Sequence, residues 1–219
     1  MMNARDTGYA LIGTNVGNAT LGALRDRVFV AGEVGKRCLL DEPIVRQVAI
    51  ELRQVLEADG HLSRDSRAIQ AIAFDKTPDA NWKVTWHQDV MFPFAQMVTR
   101  SGFDLSSRKE GVDYARPPAS ILEEMLAVRL HLDDCDDSNG PLRVSPGSHR
   151  YGILRSAEIP DYVARYGEAV CTAREGDALL MKPLLLHASS PAINPQHRRV
   201  IHIVYHSGMP IAERWHRAV

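Results

Sequence analysis

Residues 176–205 read GDALLMKPLLLHASSPAINPQHRRVIHIVY, and the way this stretch breaks decides the fold. Gly176-Asp177 marks a turn, and DALLMKP then reads as a short strand. The apolar run Leu184-Leu185-Leu186 ends on His187, with Ser189 at the same strand parity. Asn194-Pro195 marks another turn, and Arg198-Arg199 opens a further strand through VIHIVYHS. Strands this short, joined by turns with no helix between them, do not form βαβ units. They predict antiparallel pairing.

The same texture extends upstream. AIQAIAF (68–74), NWKVTWHQDV (81–90), LAVRLHLDDC (126–135), PLRVSPG (141–147) and AVCTA (169–173) read as further short strands, punctuated by Asn139-Gly140 and Pro146-Gly147. Gly8 to Val16 reads as a short strand as well. Helices come early. Thr20 is placed to cap a helix through LGALRDRVF, with Leu21, Leu24 and Val28 on one face. Asp41-Glu42-Pro43 starts a second helix that aligns Ile44, Val48, Leu52 and Leu56. The expected class is mainly β with flanking helices (α+β), built on a jelly-roll core. It would form a single domain over 1–219, with helices mainly in 20–60 and the β core at about 67–206. Residues 91–118 are expected as a long, irregular, charge-rich loop and a candidate lid.

Bulk composition narrows the function classes. The 219 residues are 45% hydrophobic and 24% charged, with 26 basic against 27 acidic residues and a formal net charge of −1. That balance excludes a general nucleic-acid or polyanion binder. The three cysteines, Cys38, Cys135 and Cys171, have no paired spacing and suit a reduced compartment. The opening MMNARDTGYALIGTN lacks the apolar run of a signal peptide, and no stretch is apolar enough to span a membrane. A cytoplasmic location is expected.

The chemistry concentrates in KVTWHQDV, residues 83–90. As a strand, it sets Lys83, Thr85, His87 and Asp89 on one face. Facing water, that row is an ordinary solvated strand; facing inward, it requires a metal or ligand to satisfy it. Alone, His87-x-Asp89 reads more readily as a histidine satisfied in the core, and alone His187 reads better as a polar strand end. Taken together, two histidines and a carboxylate can occupy one face of a metal octahedron, leaving three positions open as in non-haem Fe(II) oxygenases. An arginine on a neighbouring strand supplies the fork that a bidentate carboxylate requires.

These residues resemble the phytanoyl-CoA dioxygenase family. His87-x-Asp89, the distal His187 and Arg198, eleven residues beyond it, match the family pattern. The stretch RLHLDDCDDSNGPLRVSPGSHR (129–150) and the segment GDALLMKPLLLHASSPA are similar to family sequence between and around the histidines. The resemblance covers about Phe74 to Tyr205. It implies a double-stranded β-helix of the cupin-like kind, and an Fe(II)- and 2-oxoglutarate-dependent dioxygenase that uses O₂ and releases succinate and CO₂. It implies His87, Asp89 and His187 as iron ligands, with Arg198 on the distal carboxylate of 2-oxoglutarate. Ser189 and Thr85 match positions that hydrogen-bond the co-substrate. Lys83 shares their row and could meet a co-substrate or substrate carboxylate, or snorkel to solvent. Arg129 and His131 share a face of another strand. Turned inward, Arg129 would join the cofactor-binding set. His202 shares parity with Arg198, and the Pro146-Gly147-Ser148-His149 turn reads as structural.

Retention of Asp89, where related halogenases carry a small residue, implies a hydroxylase rather than a halogenase. The substrate is expected to be a small molecule, and the charges at Arg100, Asp104, Arg108, Lys109, Glu110, Asp113 and Arg116 suit a polar or charged one. Two alternatives stand beside this reading: a metal-dependent hydrolase or isomerase on a cupin-like barrel, and a non-catalytic metal- or ligand-binding protein of the same fold. A requirement for 2-oxoglutarate separates the first from an oxygenase, and succinate production separates the second.

Overall fold

Alternation of inward and outward side chains organises the strands into two facing antiparallel sheets. The structure is a computed structural model and describes residues 4–30 and 32–219, so the first three residues of the opening stretch lie outside the description. Its strands are β1 (Tyr9–Gly13), β2 (Gly35–Lys36), β3 (Arg67–Lys76), β4 (Val84–His87), β5 (Phe92–Phe94), β6 (Asp104–Lys109) and β7 (Val112–Arg116). They continue as β8 (Met125–His131), β9 (Leu142–Val144), β10 (Ala169–Cys171), β11 (Asp177–Met181), β12 (His187–Ser189) and β13 (Arg198–His206). The helices are α1 (Ala4–Thr7), α2 (Asn18–Val28), α3 (Pro43–Ala58), α4 (Ala119–Glu123) and α5 (Ile159–Tyr166). No helix among the described residues is long and apolar enough to cross a membrane.

The larger sheet runs β1-β11-β8-β13-β3-β2, and the smaller runs β10-β9-β12-β4. Every strand pairing is antiparallel. This is the mainly β, jelly-roll class expected from the strand spacing. The outer face of the larger sheet carries Ala71, Ala73, Val128, Leu130, Ile201 and Ile203, against which α2 and α3 bury Leu21, Leu24, Val28, Val48, Leu52 and Leu56. Tyr205 on the same face donates its hydroxyl to the Ala49 carbonyl at 2.7 Å, pinning α3 to β13. The opposite parity of β3, β8, β11 and β13 faces the smaller sheet. One end of that inter-sheet space is filled by Ile69, Ala127, Leu142, Val144, Leu179, Met181 and Val204. The other end is polar and holds the site.

Two local expectations change. The first long helix begins at Asn18, with Gly17 as its N-cap and with the amides of Thr20 and Leu21 already bonded to the Gly17 carbonyl. Thr20 therefore lies inside the helix and does not cap it. Residues 91–118 are not an irregular loop, because 92–116 form a third antiparallel sheet, ordered β5-β7-β6. Phe92, Phe94, Val112, Tyr114 and Ala115 are buried. The charges pair on its outside, as in Arg116 with Asp104, Arg100 with Glu213 and Arg37 with Glu110.

Candidate metal centre and its cationic cavity

β12 is the middle strand of the smaller sheet around the site, and it pairs with β4 so that His187 lies opposite His87. Their ring centroids are 4.1 Å apart. Backbone carbonyls orient both rings. Nδ1 of His87 donates to the Thr85 carbonyl at 2.8 Å, and Nδ1 of His187 donates to the Leu185 carbonyl at 2.9 Å. A carbonyl can only accept, so in each neutral ring Nε2 keeps its lone pair free. Both Nε2 atoms turn to Asp89, at 3.8 Å from Oδ1 for His87 and 3.6 Å from Oδ2 for His187. The backbone amide of Asp89 is held by the Pro183 carbonyl at 2.9 Å. Next to it, the Gln88 side chain ties β4 to Gly152, Leu154 and Leu184. One ligand atom from each of His87, Asp89 and His187 falls within 4.8 Å of the others.

The protonation states suit a cation. Burial pushes the His187 imidazole down to about 4, so it is neutral at neutral pH. Burial works to raise the Asp89 pKa, but His187, His202, His87 and Arg129 outweigh it and hold the carboxyl below its ordinary value. Two imidazoles whose Nδ1 atoms are held by backbone carbonyls, and one carboxylate, form a donor set for a divalent transition metal. His202 on β13 stands behind them, its Nε2 3.5 Å from Asp89 Oδ2.

The cavity in front of His87, Asp89 and His187 has a volume of about 160 Å³ and is walled by Ile72, Phe74, Trp82, Val84, Phe92 and Val204 among others. Three cations cluster at this space on the larger sheet: Arg198 and Arg129 line it, and Lys76 reaches its edge through Ser189 Oγ. Arg198 and Lys76 are cross-strand partners on β13 and β3, and Arg129 on β8 is the cross-strand partner of His202. All three are buried, at 3%, 1% and 8% exposure. Arg198 donates to the Gly140 carbonyl, while its Nε has no partner. Gly140 adopts a positive φ of 62°, and a Cβ there would meet the Ser190 carbonyl at 2.9 Å, so the Asn139-Gly140 turn requires glycine. Lys76 Nζ donates to Ser189 Oγ and to the Ser190 carbonyl, each at 3.0 Å, and lies 5.3 Å from the Trp82 ring centroid. Burial, helped by Arg198 and Arg129, lowers the Lys76 pKa to about 8. No carboxylate pairs directly with any of the three among the described residues. Uncompensated charge of this kind is costly unless an anionic ligand completes it.

The structure thus brings His87, Asp89, His187, Ser189, Arg198 and Arg129 to one cavity, but it leaves out Lys83 and Thr85. Both are exposed. The reason is a bulge: His187 pairs with His87, yet Ser189 pairs with Val84, so three residues of β4 span two of β12. The extra residue reverses the parity, turning Val84 and Trp82 into the cavity in place of Thr85 and Lys83. Sequence reasoning missed Lys76, whose signal was strand period two continuing from Gln70 through Ile72 and Phe74. His131 lies buried on the same inner face as Arg129, with both ring nitrogens unpartnered, and burial lowers its pKa to about 3. Ser148 has the structural role expected of its turn, donating to the Ser145 carbonyl and accepting from the Leu186 amide.

Comparison with known proteins places this geometry. A family model described as phytanoyl-CoA dioxygenase matches residues 5–200. An L-proline trans-4-hydroxylase from Streptomyces griseoviridis is 29% identical over 104 residues, covering 36% of this chain and 39% of that protein. The chain therefore matches well under half the length of this curated relative. Among solved structures, the non-heme alpha-ketoglutarate-dependent carbocyclase SnoK from nogalamycin biosynthesis superposes with a TM-score of 0.67 at 16% identity, covering 93% of this chain and 81% of its own. HygX from Streptomyces hygroscopicus, solved with nickel and 2-oxoglutarate bound, gives a TM-score of 0.64 at 16% identity, covering 94% and 84%. At these identities the structural likeness establishes the fold.

Proposed function

This chain belongs to the phytanoyl-CoA dioxygenase family, and we propose on that premise that it is an Fe(II)- and 2-oxoglutarate-dependent oxygenase that hydroxylates a small molecule. The observation that carries the reading is the polarity of one cavity, with a His-Asp-His donor set at one level and the buried Arg198–Lys76 pair at the other. Bound there, iron and 2-oxoglutarate would supply O₂-dependent oxidation of a C–H bond, coupled to decarboxylation of the co-substrate to succinate and CO₂. His87, Asp89 and His187 would hold the metal. Arg198 would receive the distal carboxylate, and Lys76 would add a second positive charge beside Ser189 Oγ. Trp82, Val84 and Phe92 exclude water around them. The β5-β7-β6 sheet, which contributes Phe92, is the element we assign to shielding the site.

The cationic pair favours this reading over a hydrolase, which has no use for two buried cations opposite the metal. Hydroxylation, as opposed to another oxidative outcome, is supported by the name of the curated relative, an L-proline hydroxylase. We assign the described chain to one catalytic domain. The unpaired thiols of Cys38, Cys135 and Cys171 suit a reducing compartment such as the cytoplasm.

Anaerobic titration of metal-free protein with Fe(II) and then 2-oxoglutarate tests the proposal. The expected result is a visible charge-transfer band that, in Arg198→Met, requires about 30-fold or more co-substrate, as loss of one partner of a buried charge pair predicts. A folded, iron-binding protein that shows no band would overturn it.

A further inference from the structure

Arg129 differs from the other two buried cations. Arg198 donates to a backbone carbonyl and Lys76 to a hydroxyl and a carbonyl, whereas the Arg129 guanidinium makes no hydrogen bond to the protein among the described residues. It lies 5.5 Å from the Phe74 ring centroid and faces the cavity. Its place along the sheet differs as well. In register, Arg198 sits with Lys76, Val200 with Phe74 and His131, His202 with Ile72 and Arg129, and Val204 with Gln70 and Ala127. His202 is the rung that touches Asp89. The Arg129 backbone therefore stands at the rung of His202, four residues, or on the order of 13 Å of strand, from the rung of Arg198 and Lys76, while its guanidinium lies over Phe74, one rung toward them. One rung further on, Gln70 is also buried and lines the cavity, and its Oε1 has no partner.

Resting on the oxygenase reading above, we propose that Arg129 is the substrate receptor: it binds the carboxylate of a small carboxylic acid, with the Gln70 amide free for a polar group beside it. A co-substrate held by Arg198 and Lys76 would leave the Gln70 end of the cavity to another ligand. Two carboxylates of 2-oxoglutarate and that of Asp89 still leave a divalent metal and three cations in excess of positive charge. A buried guanidinium that rests on an aromatic ring and has no hydrogen-bond acceptor recruits an anion. The cavity's small volume and apolar walls of Ile72, Phe92 and Val204 limit the acid to a compact, largely apolar body. The polar or charged substrate suggested by residues 91–118 is thus replaced by a charge on one specific atom group, since the charges of that segment pair with each other or with neighbouring surface residues.

The test uses the anaerobic Fe(II)–2-oxoglutarate complex, with acetate as probe and acetamide as its neutral isostere. Acetate is expected to shift the charge-transfer band and raise the thermal midpoint of the wild-type complex, and acetamide to do neither. Arg129→Met should weaken the acetate effect about tenfold or more while changing 2-oxoglutarate affinity less than about threefold. Arg129→Lys, which keeps the charge, should retain a weaker acetate response. The ligand-free Arg129→Met protein should be as stable as wild type or more so, because a buried unpaired charge is removed. If Arg129→Met loses co-substrate as severely as Arg198→Met, Arg129 belongs to 2-oxoglutarate and the proposal fails. It also fails if acetate acts equally on wild type and Arg129→Met, or on neither. Absence of the band in wild type with 2-oxoglutarate alone would instead overturn the oxygenase reading.

Discussion

The two walls of the cavity are built on opposite principles. On the smaller sheet, β4 and β12 present His87 and His187 with their tautomers set by backbone carbonyls, and Asp89 follows directly after β4. That wall is complete in itself except for a cation. On the larger sheet, β3, β8 and β13 present Lys76, Arg129 and Arg198, an arrangement complete except for anions. The smaller wall lacks a cation and the larger lacks anions, of which a dicarboxylate would meet Arg198 and Lys76 and leave Arg129 for a further carboxylate. Across the gap His202 Nε2 approaches Asp89 at 3.5 Å. The comparison teaches that the fold keeps the two charge types on separate sheets, so the ligand and not a salt bridge joins them.

Breaking the smaller-sheet wall should have the largest effect. Asp89→Ala leaves both imidazoles in place but removes the anionic donor. Turnover of 2-oxoglutarate is expected to fall more than about 100-fold, beyond the loss typical of residues that merely support a ligand. The charge-transfer band should vanish while the far-ultraviolet circular dichroism stays unchanged. Full turnover in this variant would remove Asp89 from the metal.

Breaking the larger-sheet wall should cost less and depend on pH. Lys76→Met is expected to weaken 2-oxoglutarate roughly tenfold at neutral pH, the worth of one charge-assisted contact. In the ligand-free protein the Lys76 pKa falls from 10.5 to about 8 because burial disfavours the ammonium. Wild-type affinity for 2-oxoglutarate should therefore decline as pH rises through about 8, and the Lys76→Met profile should lack that limb. Stability runs the other way. With the folded pKa below the unfolded one, the penalty for burying the ammonium is fully present below about pH 8 and is relieved as pH climbs toward 10.5. Thermal midpoints of the ligand-free protein should show this component in wild type and lose it in Lys76→Met.

The walls also differ in how far the sequence exposes them. His87, Asp89 and His187 are each ambiguous alone, but their combination, with Arg198 at a fixed spacing beyond, matches a family pattern, so the donor set and one cation are legible through that resemblance. The overall class was readable too, because short strands separated by turns leave few architectures open. Lys76 was not. It precedes Thr77-Pro78-Asp79, a turn signal that makes a lysine read as a solvated strand end, yet β3 runs to Lys76 and its pairing with Arg198 turns it inward. The sheet at 92–116 was hidden by its own surface, since exposed Asp104, Arg108 and Lys109 on β6 outweigh the buried Phe92, Phe94 and Tyr114 in a reading by charge. Helix α5 was hidden differently: its eight residues include none that is fully buried.

The sharpest remaining difference lies within one strand. Period-two alternation puts Lys83 and Thr85 on the face of His87, whereas the bulge opposite His187 and Ser189 puts Trp82 and Val84 there. A single unpaired residue decides between these arrangements, because a one-residue slip moves every preceding side chain to the other face of the sheet. Lys83→Met and Thr85→Ala should each leave 2-oxoglutarate affinity within about twofold and stability within about 0.5 kcal/mol, the ordinary range for exposed positions. The Thr85 carbonyl still holds His87 Nδ1 in either residue, so the ring's orientation survives the substitution. A tenfold loss of co-substrate in Thr85→Ala would place its hydroxyl in the cavity. The bulge would then be displaced beyond Thr85, and Trp82 could no longer stand over Lys76. Near-neutral results at both positions, beside a clear loss in Lys76→Met, would locate the second cation on β3 and confine the role of β4 to the metal.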